Sequence, residues 1–407
     1  MQTIVFIETN KSGSSRDAIK AAEEMGYFTV LFTSRKKTIE QRKEYPDVHE
    51  MYYDELTNLD RLRSSIDRIV NDGKRVKAIV SFVDSYVYLA SLLSEEYCNS
   101  KIPAKAVDIM ENKVKTRLSL SNNQYNPQFV IFHETDSLVE LIAQQEQYLP
   151  VIVKSPCSTG SKDVFLVSTI NELEKRIKQL QIKCPNEPIL IEEYLEGTQF
   201  LIEALVYDNE VTIGAMIEQE ITKNKRFIVT GYSVLADVST EQLYELEHIL
   251  KSLITDLGFT NGSLHVEIRQ TNKGEWKLIE VNPRMSGGAM NQMLNAAFGI
   301  NYVEETLKIW LGIKPSLNRT KNKYTFTKYL TLAASGILEK VTGKKKATNS
   351  PGVVDVYVKP RRGSRLSLPY SMGNRYAYVI AAANTKEKAF EYANNAAKQI
   401  QFHLASD

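Results

Sequence analysis

Two short apolar segments, Leu264-His265-Val266-Glu267-Ile268 and Leu278-Ile279-Glu280-Val281-Asn282-Pro283-Arg284, read as neighbouring strands that each carry an acidic side chain. Strand side chains alternate, so Glu280 and Asn282 share a face and Glu267 can converge with them. Oxygen donors of this kind suit a hard divalent cation. Magnesium is usually held by one or two carboxylates together with substrate phosphates, so the pattern points to a bound nucleoside triphosphate rather than a structural metal. Arg284 then lies where a transferring phosphoryl group needs a bidentate cation. Two edge strands with ordinary surface carboxylates would show the same E-x-N, and the weight against that reading comes from the rest of the chain.

A chain of 407 residues exceeds what one core serves, so two to four domains are expected. Its net charge of +2 gives no electrostatic case for nucleic acid or a membrane surface. The basic runs Lys344-Lys345-Lys346 and Arg361-Arg362 read as solvated loops. Cys98, Cys157 and Cys184 form no C-x-x-C pair, which argues against a disulfide framework and fits a reducing cytoplasm. The five histidines show no zinc spacing. The start, Met1 to Glu8, reads as a strand rather than a signal segment, and no run approaches the ~20 apolar residues of a membrane span. A soluble cytoplasmic protein is expected.

The first hundred or so residues alternate strand and helix: strands at Ile4 to Ile7, Thr29 to Phe32 and Ala78 to Val83, helices at Ser15 to Met25 and Leu59 to Asn71, then a helix through Leu92. That rhythm predicts a parallel sheet. The loop Asn10 to Ser15 lacks both G-x-G-x-x-G and G-K-[ST], so it reads as a βα turn with a capping serine. Asp84-Ser85-Tyr86 lies just past a strand's carboxyl end, where open α/β sheets bind ligands, and a helix N-cap aspartate explains it equally well. From Asn112 a basic helix start leads to a strand at Phe129 to Phe132, a helix at Asp136 to Gln147, and strands at Leu149 to Lys154 and Val164 to Val167. Pro185 to Pro188 marks a boundary before a sheet-rich half that runs to about residue 315, and Ser316 to Lys323 reads as a linker. Strands around Tyr329, Val353 to Val358 and Tyr376 to Ala382, with a helix at Lys386 to Gln399, make up the tail.

Lys154 ends a strand and opens a loop containing Ser158, Gly160 and Ser161. Lys supplies a point charge and the small residues let backbone N–H groups approach phosphate oxygens, although a plain flexible hairpin has the same composition. Lys113, upstream of this unit, adds a second cation. In Ile191-Glu192-Glu193-Tyr194-Leu195-Glu196-Gly197 a strand is expected to leave its sheet at Gly197, where free backbone groups can meet an adenine edge; a simple turn between strands is the other reading.

In order and spacing, Lys113, Lys154 with its Ser/Gly loop, E-E-Y-L-E-G at 192 to 197, Glu267 and Glu280-x-Asn282-x-Arg284 resemble the ATP-grasp superfamily over about residues 105 to 310. Within it, Asn282-Pro283-Arg284-Met285-Ser286-Gly287-Gly288, the length and the tail make the chain similar to carboxylate-amine ligases, most of all to bacterial L-amino-acid ligases. The resemblance implies a multidomain α/β and α+β chain with an ATP-grasp fold: a Rossmann-like parallel-sheet domain at 1–110, a small ATP-grasp subdomain with the phosphate loop at 111–187, a large subdomain with the metal site at 188–318, and a C-terminal α+β region at 319–407 completing the large domain. It implies that Lys113 and Lys154 hold the α and β phosphates with the Ser158, Gly160, Ser161 loop, and that the backbone of Glu193, Tyr194 and Leu195 meets the adenine, with Glu192 also among the ATP-binding residues. Gln199 stands where relatives often have a ribose-binding glutamate, and its amide can still hydrogen-bond. Glu267, Glu280 and Asn282 would bind two Mg²⁺ ions, or Mn²⁺ in their place. Arg284 with Ser286, Gly287 and Gly288 would hold the acyl phosphate and the substrate carboxylate region. Asp84, Tyr86, His265 and Tyr232 are candidates for the substrate pocket, Tyr232 standing where several relatives carry histidine after glycine.

The implied reaction is activation of a carboxylate by ATP to an acyl phosphate, followed by attack of an amine, with amino acids as small-molecule substrates. Because that intermediate is water-sensitive, a lid is needed, and Gln219 to Gly231, with Lys223 to Arg226, is the candidate together with the Ser158 loop. A basic hairpin turn is the plainer reading of the former. An acidic Asp84 would favour a cationic amino group. Purine-pathway or bicarbonate-activating relatives share the metal cluster, although a Met-Lys-Met biotin site is absent, and a non-catalytic nucleotide-binding regulator is a third reading that intact metal positions oppose. Many relatives are homodimers, and no stripe here marks an interface.

Overall fold

The computed structural model describes residues 1–155, 163–222 and 228–405. Its N-terminal sheet is fully parallel, with Glu50–Tyr53, Phe28–Thr33, Gln2–Ile7 and Arg75–Val80 side by side in that order. Both faces of the central strand are covered: Ile4, Val5, Phe6 and Ile7 are all buried, as a parallel strand between helices requires. The third expected strand lies earlier than Ala78 to Val83, because pairing with Gln2–Phe6 starts at Arg75 and ends at Val80. Asp84–Tyr86 is a short 3₁₀ turn that leads into the helix Val87–Cys98.

The expected serine cap of the first helix is replaced by Gly13, at φ 84°, which makes no side-chain cap bond. The two serines turn elsewhere. Ser14 donates its hydroxyl to the Ser286 carbonyl at 2.7 Å, and Ser15 Oγ accepts from Asn10 N–H at 3.0 Å.

A second sheet is antiparallel: Phe129–Phe132, Ile189–Glu193, Val151–Lys154 and Val164–Val167. The helices Leu138–Gln145 and Ile170–Lys183 bury Leu141, Leu173, Ile177 and Leu180 against Val151, Val153, Val167 and Ile189. Leu173, Ile177 and Leu180 fall on one helical stripe, and Thr169 caps the helix by accepting from Glu172 N–H. The strand expected to exit at Gly197 instead ends at Glu193, and Gly197 opens the next strand, Gly197–Tyr207. Gly197 sits at φ 138°, and a Cβ there would stand 2.0 Å from the Gln270 carbonyl oxygen, so only glycine lets these two strands start pairing at that point.

The largest sheet has eight strands in the order Trp276–Asn282, Gly262–Thr271, Gly197–Tyr207, Glu210–Thr222, Ile228–Val234, Tyr324–Leu330, Ala377–Ala383, Val353–Val358. Tail strands thus extend the sheet that carries the acidic pair. One continuous core runs from the parallel sheet into it. Ala389, Ala393 and Ala396 let the helix Lys386–Ala397 lie close on Phe326, Val379 and Ala381. A three-stranded sheet of Arg365–Leu366, Gly336–Thr342 and Gln401–Ala405 closes the chain. Among the described residues no helix is long and apolar enough to cross a membrane.

Candidate active site

The antiparallel register sets Glu267 directly opposite Glu280 and His265 opposite Asn282. All four side chains line one cavity of ≈ 270 Å³ with Lys113, Lys154, Arg284 and Asp84. Like charges placed opposite one another destabilise a ladder unless cations compensate them. Lys113 Nζ stands 3.5 Å from Glu280 Oε1, while Glu267 accepts from the Gln199 amide at 2.8 Å and lies 3.7 Å from His265 Nε2. Burial works against the Glu267 charge, but His265, Lys154 and Lys113 outweigh it and hold its carboxyl below the usual range. Two carboxylates and an amide are hard oxygen donors that leave most of an octahedral shell to phosphate oxygens and water, so the set fits Mg²⁺. Among the described residues, no three His, Cys, Asp or Glu side chains form a metal-holding group.

Lys154 is fixed from below. Its Nζ is 2.5 Å from Glu192 Oε2, whose other oxygen accepts from Arg117 Nε at 2.6 Å, and all three side chains are buried. Burial would favour neutral Glu192, yet Arg117 and Lys154 together lower its pKa. Glu192 therefore anchors Lys154, with both carboxylate oxygens engaged by cations. Arg117 also donates to the Ile279 carbonyl at 2.7 Å, tying the helix Lys113–Ser119 to the strand that carries Glu280.

Glu193, Tyr194 and Leu195 line an adjoining cavity of ≈ 120 Å³ whose walls include Ile152, Val164, Ile221, Val229 and Ile279. It shares Lys113, Lys154, Glu267 and Glu280 with the first. A flat apolar slot running into a cationic and acidic end matches a purine with a phosphate tail. Glu193 is bound to the neighbouring segment, its carboxylate accepting from Gln128 N–H at 2.9 Å. Arg269 donates to both the Leu195 carbonyl and Gln199 Oε1, so the Glu193 to Leu195 segment and the Gln199 amide are held by one guanidinium.

Arg284 donates from Nε to Asp84 Oδ1 and from Nη1 to the Met285 carbonyl at 2.7 Å. The turn after it rests on Glu203, a fully buried carboxylate that accepts from Ser286 N–H at 3.2 Å and lies 2.6 Å from His265 Nδ1. Burial disfavours a charged His265, but Glu203 outweighs it and the imidazole pKa rises to about 9. Gly288 has φ 66°, and a Cβ on Gly13 would stand 2.6 Å from its carbonyl oxygen, so the N-terminal βα turn presses directly on the glycine turn. Replacing Gly13 by alanine is expected to cost about 1–3 kcal/mol of stability and to lower ADP release roughly tenfold, read by thermal melting and a coupled ADP assay. Wild-type values for both would mean that the contact is loose.

Among the sequence candidates, Tyr86 and Tyr232 line neither cavity. Tyr86 packs against the core, and Tyr232 is buried edge-on to Tyr329 with ring centroids 5.6 Å apart. The turn residues Ser286, Gly287 and Gly288 also lie outside both linings. Ser158, Gly160, Ser161 and the proposed lid tip Lys223 to Arg226 lie outside the described residues. Sequence reasoning missed Arg117, Glu203, Arg269 and Met372, the last of which lines both cavities. A carboxylate inside the apolar run Phe200 to Val206 was the one local signal for Glu203.

The ATP-grasp domain family matches residues 147–292, and the L-amino acid ligase C-terminal domain 2 matches residues 328–405. The chain is 24% identical over 261 residues to an uncharacterised protein of Sinorhizobium fredii, covering 63% of this chain and 54% of that one, so it spans about half the length of that relative. It is 20% identical over 314 residues to the L-arginine-specific L-amino acid ligase of Bacillus subtilis, covering 76% of this chain and 75% of that one. In fold it is similar to the L-amino acid ligase of Bacillus licheniformis, with a TM-score of 0.82 and 19% identity over 100% of this chain and 99% of that one. It is also similar in fold to phosphoribosylglycinamide synthetase from Anaerococcus prevotii, with a TM-score of 0.77 and 16% identity over 99% of this chain and 100% of that one. The chain thus contains an ATP-grasp domain and an L-amino acid ligase C-terminal domain.

Proposed function

We propose that this protein is an ATP-dependent carboxylate–amine ligase that joins two L-amino acids through a peptide bond, releasing ADP and phosphate. The observation that carries this reading is the Glu267–Glu280 pair with Asn282, gathered with Lys113, Lys154 and Arg284 in one cavity that adjoins an apolar slot. Glu267, Glu280 and Asn282 would hold two Mg²⁺ ions, which supply charge neutralisation along the triphosphate. The four-part division at residues 110, 187 and 318 belongs to the same proposal: the parallel sheet supports the first boundary, whereas Ile189–Glu193 pairs within the small-subdomain sheet and the tail strands join the large one.

A carboxylate oxygen of the first amino acid attacks the γ-phosphorus in line, the bond to the ADP oxygen breaks, and an acyl phosphate results. Lys113 and Lys154 offset phosphate charge, the latter held in place by Glu192. The amine of the second amino acid then attacks the acyl carbon. A C–N bond forms, the C–O bond to phosphorus breaks with its electron pair leaving on phosphate, and the nitrogen loses a proton. Arg284, oriented by Asp84, faces the departing oxygens. The buried Glu203 keeps the Ser286 to Gly288 turn in register with it.

Similarity to the B. subtilis and B. licheniformis ligases and the matching C-terminal domain support amino acids as both substrates. Measuring ADP release over a matrix of paired amino acids, with mass detection of products, tests the reading. Dipeptide formed in step with ADP is expected; ATP hydrolysis without any coupled product, or no ADP with any pair, would overturn it.

A further inference from the structure

The sheet face that carries Glu267 continues past the nucleotide slot into a polar aromatic patch. Along the ladder Gln219 stands opposite Tyr232, Tyr232 opposite Thr327, and Tyr329 opposite Tyr378. Arg375 covers this patch, its guanidinium carbon 3.9 Å from the Tyr329 ring centroid and 5.9 Å from that of Tyr232. It follows the turn Met372–Asn374, whose Met372 lines both cavities, and its Nε donates to the Met372 carbonyl at 3.2 Å.

Among the described residues this cluster contains no anion. Arg375 Nη1, a donor, is buried without a hydrogen-bond partner among the described residues, while the unpartnered Oε1 of Gln219, which lines the slot, is an acceptor that calls for a donor such as an amino group. The side chains that act on Arg375 are the neutral Tyr329 and Tyr232, the latter also through a side-chain hydrogen bond, with no carboxylate paired to it among the described residues. Cation–π contact offsets part of the desolvation of a guanidinium, but a buried donor left unmade is costly, and a ligand oxygen would satisfy it. Room for one exists beside the glycine turn: a Cβ on Gly287 would meet nothing within 4 Å, and one on Gly288 would meet only the Tyr329 hydroxyl at 4.0 Å.

Two anions could serve, the terminal phosphate of the nucleotide or a substrate carboxylate. Lys113 and Arg284 approach from the side of the edge strand Trp276–Asn282, whereas Arg375 stands over Ile228–Val234 and Tyr324–Leu330, across the sheet from that edge. The first amino acid loses its carboxylate charge centre to phosphoryl transfer, while the second keeps its carboxylate throughout and needs a permanent partner. We propose that Arg375, braced on Tyr329 beside Tyr232, binds the free α-carboxylate of the amine-donating amino acid and so aims its nitrogen toward the glycine turn. This rests on the ligase reading.

The test compares three nucleophiles in wild type and Arg375→Gln: the amine-donating amino acid identified by the substrate matrix, its carboxamide, and hydroxylamine. R375Q is expected to lose about 10–100-fold in kcat/KM for the free amino acid, mainly through KM, as for a lost charge-assisted hydrogen bond. Carboxamide coupling and hydroxamate formation should change less than threefold, R375K should recover part of the loss, and R375Q should melt near wild type. An equal fall with all three nucleophiles would assign Arg375 to the phosphate or to folding and overturn the carboxylate role, as would an unchanged preference for the free acid. Failure of the wild type to form hydroxamate or dipeptide from any amino acid would instead remove the ligase reading, and this subsite with it.

Discussion

Glu280→Gln should lower ATP-dependent ADP release by about 10³-fold or more while leaving the protein folded. The amide keeps the shape of the side chain but removes one of the two carboxylate charges that face each other across the ladder, and with it several kcal/mol of charge stabilisation along the triphosphate. Stability should move little. The Glu280 side chain is 36% exposed, and its contact with Lys113 at 3.5 Å is of the half-solvated kind that contributes little. Removing one of two like charges opposite each other relieves a repulsion of up to about 1 kcal/mol in the metal-free protein. Melting without metal should therefore stay within roughly 4 °C of wild type. The pairing of near-normal melting with lost turnover is what separates a ligand-binding carboxylate from a structural one. Calorimetry should show weakened uptake of ATP with Mg²⁺. A variant retaining a tenth or more of wild-type turnover would remove Glu280 from the metal site.

The acidic pair was legible because its information is local: period-two alternation puts Glu280 and Asn282 on one face, and a short hairpin brings Glu267 beside them. Three strands of the parallel N-terminal sheet were legible for a similar reason, since strand and helix periods alternate there, whereas the half-exposed edge strand Glu50–Tyr53 was not read. What failed was long-range. Glu192 reads as one acid of the nucleotide-binding segment until Arg117, 75 residues earlier in the chain, is found bonded to it. Gly197 reads equally as the exit of one strand or the start of the next, and only the approach of the Gln270 carbonyl decides it. Met372 and Arg375 sit in a tail segment with no apolar period of its own, and they reach the site only because Tyr324–Leu330 pairs with Ile228–Val234 and draws the tail along the main sheet. Glycine at 13 and serine at 14 look like ordinary turn residues, and their contact with the Ser286 to Gly288 turn spans 272 residues between Ser14 and Ser286.

Glu192→Gln should be the most destabilising single change in the nucleotide cleft. Its carboxylate is 4% exposed and lies between Arg117 at 2.6 Å and Lys154 at 2.5 Å, whose side chains are themselves 3% and 10% exposed. Losing that charge leaves two buried cations facing a neutral amide, a situation that costs about 3–5 kcal/mol. The same contact fixes the pH dependence. Glu192 titrates below its ordinary 4.5 in the folded protein because both cations favour the anion over the neutral acid that burial alone would prefer. Below that value the unfolded chain binds the proton first, so the stabilisation is complete at neutral pH and is lost as pH falls from 4.5 through the lower folded value. The melting gap between wild type and E192Q should accordingly be constant from about pH 6 to 8 and narrow on acidification below about 4.5. Turnover reports the second consequence. With Lys154 no longer anchored, KM for ATP should rise by about tenfold, since the cation must now be positioned by the nucleotide itself. A variant that melts with wild type at neutral pH would mean that Arg117 and Lys154 find other partners, and the buried triad would then be a bystander to the cleft.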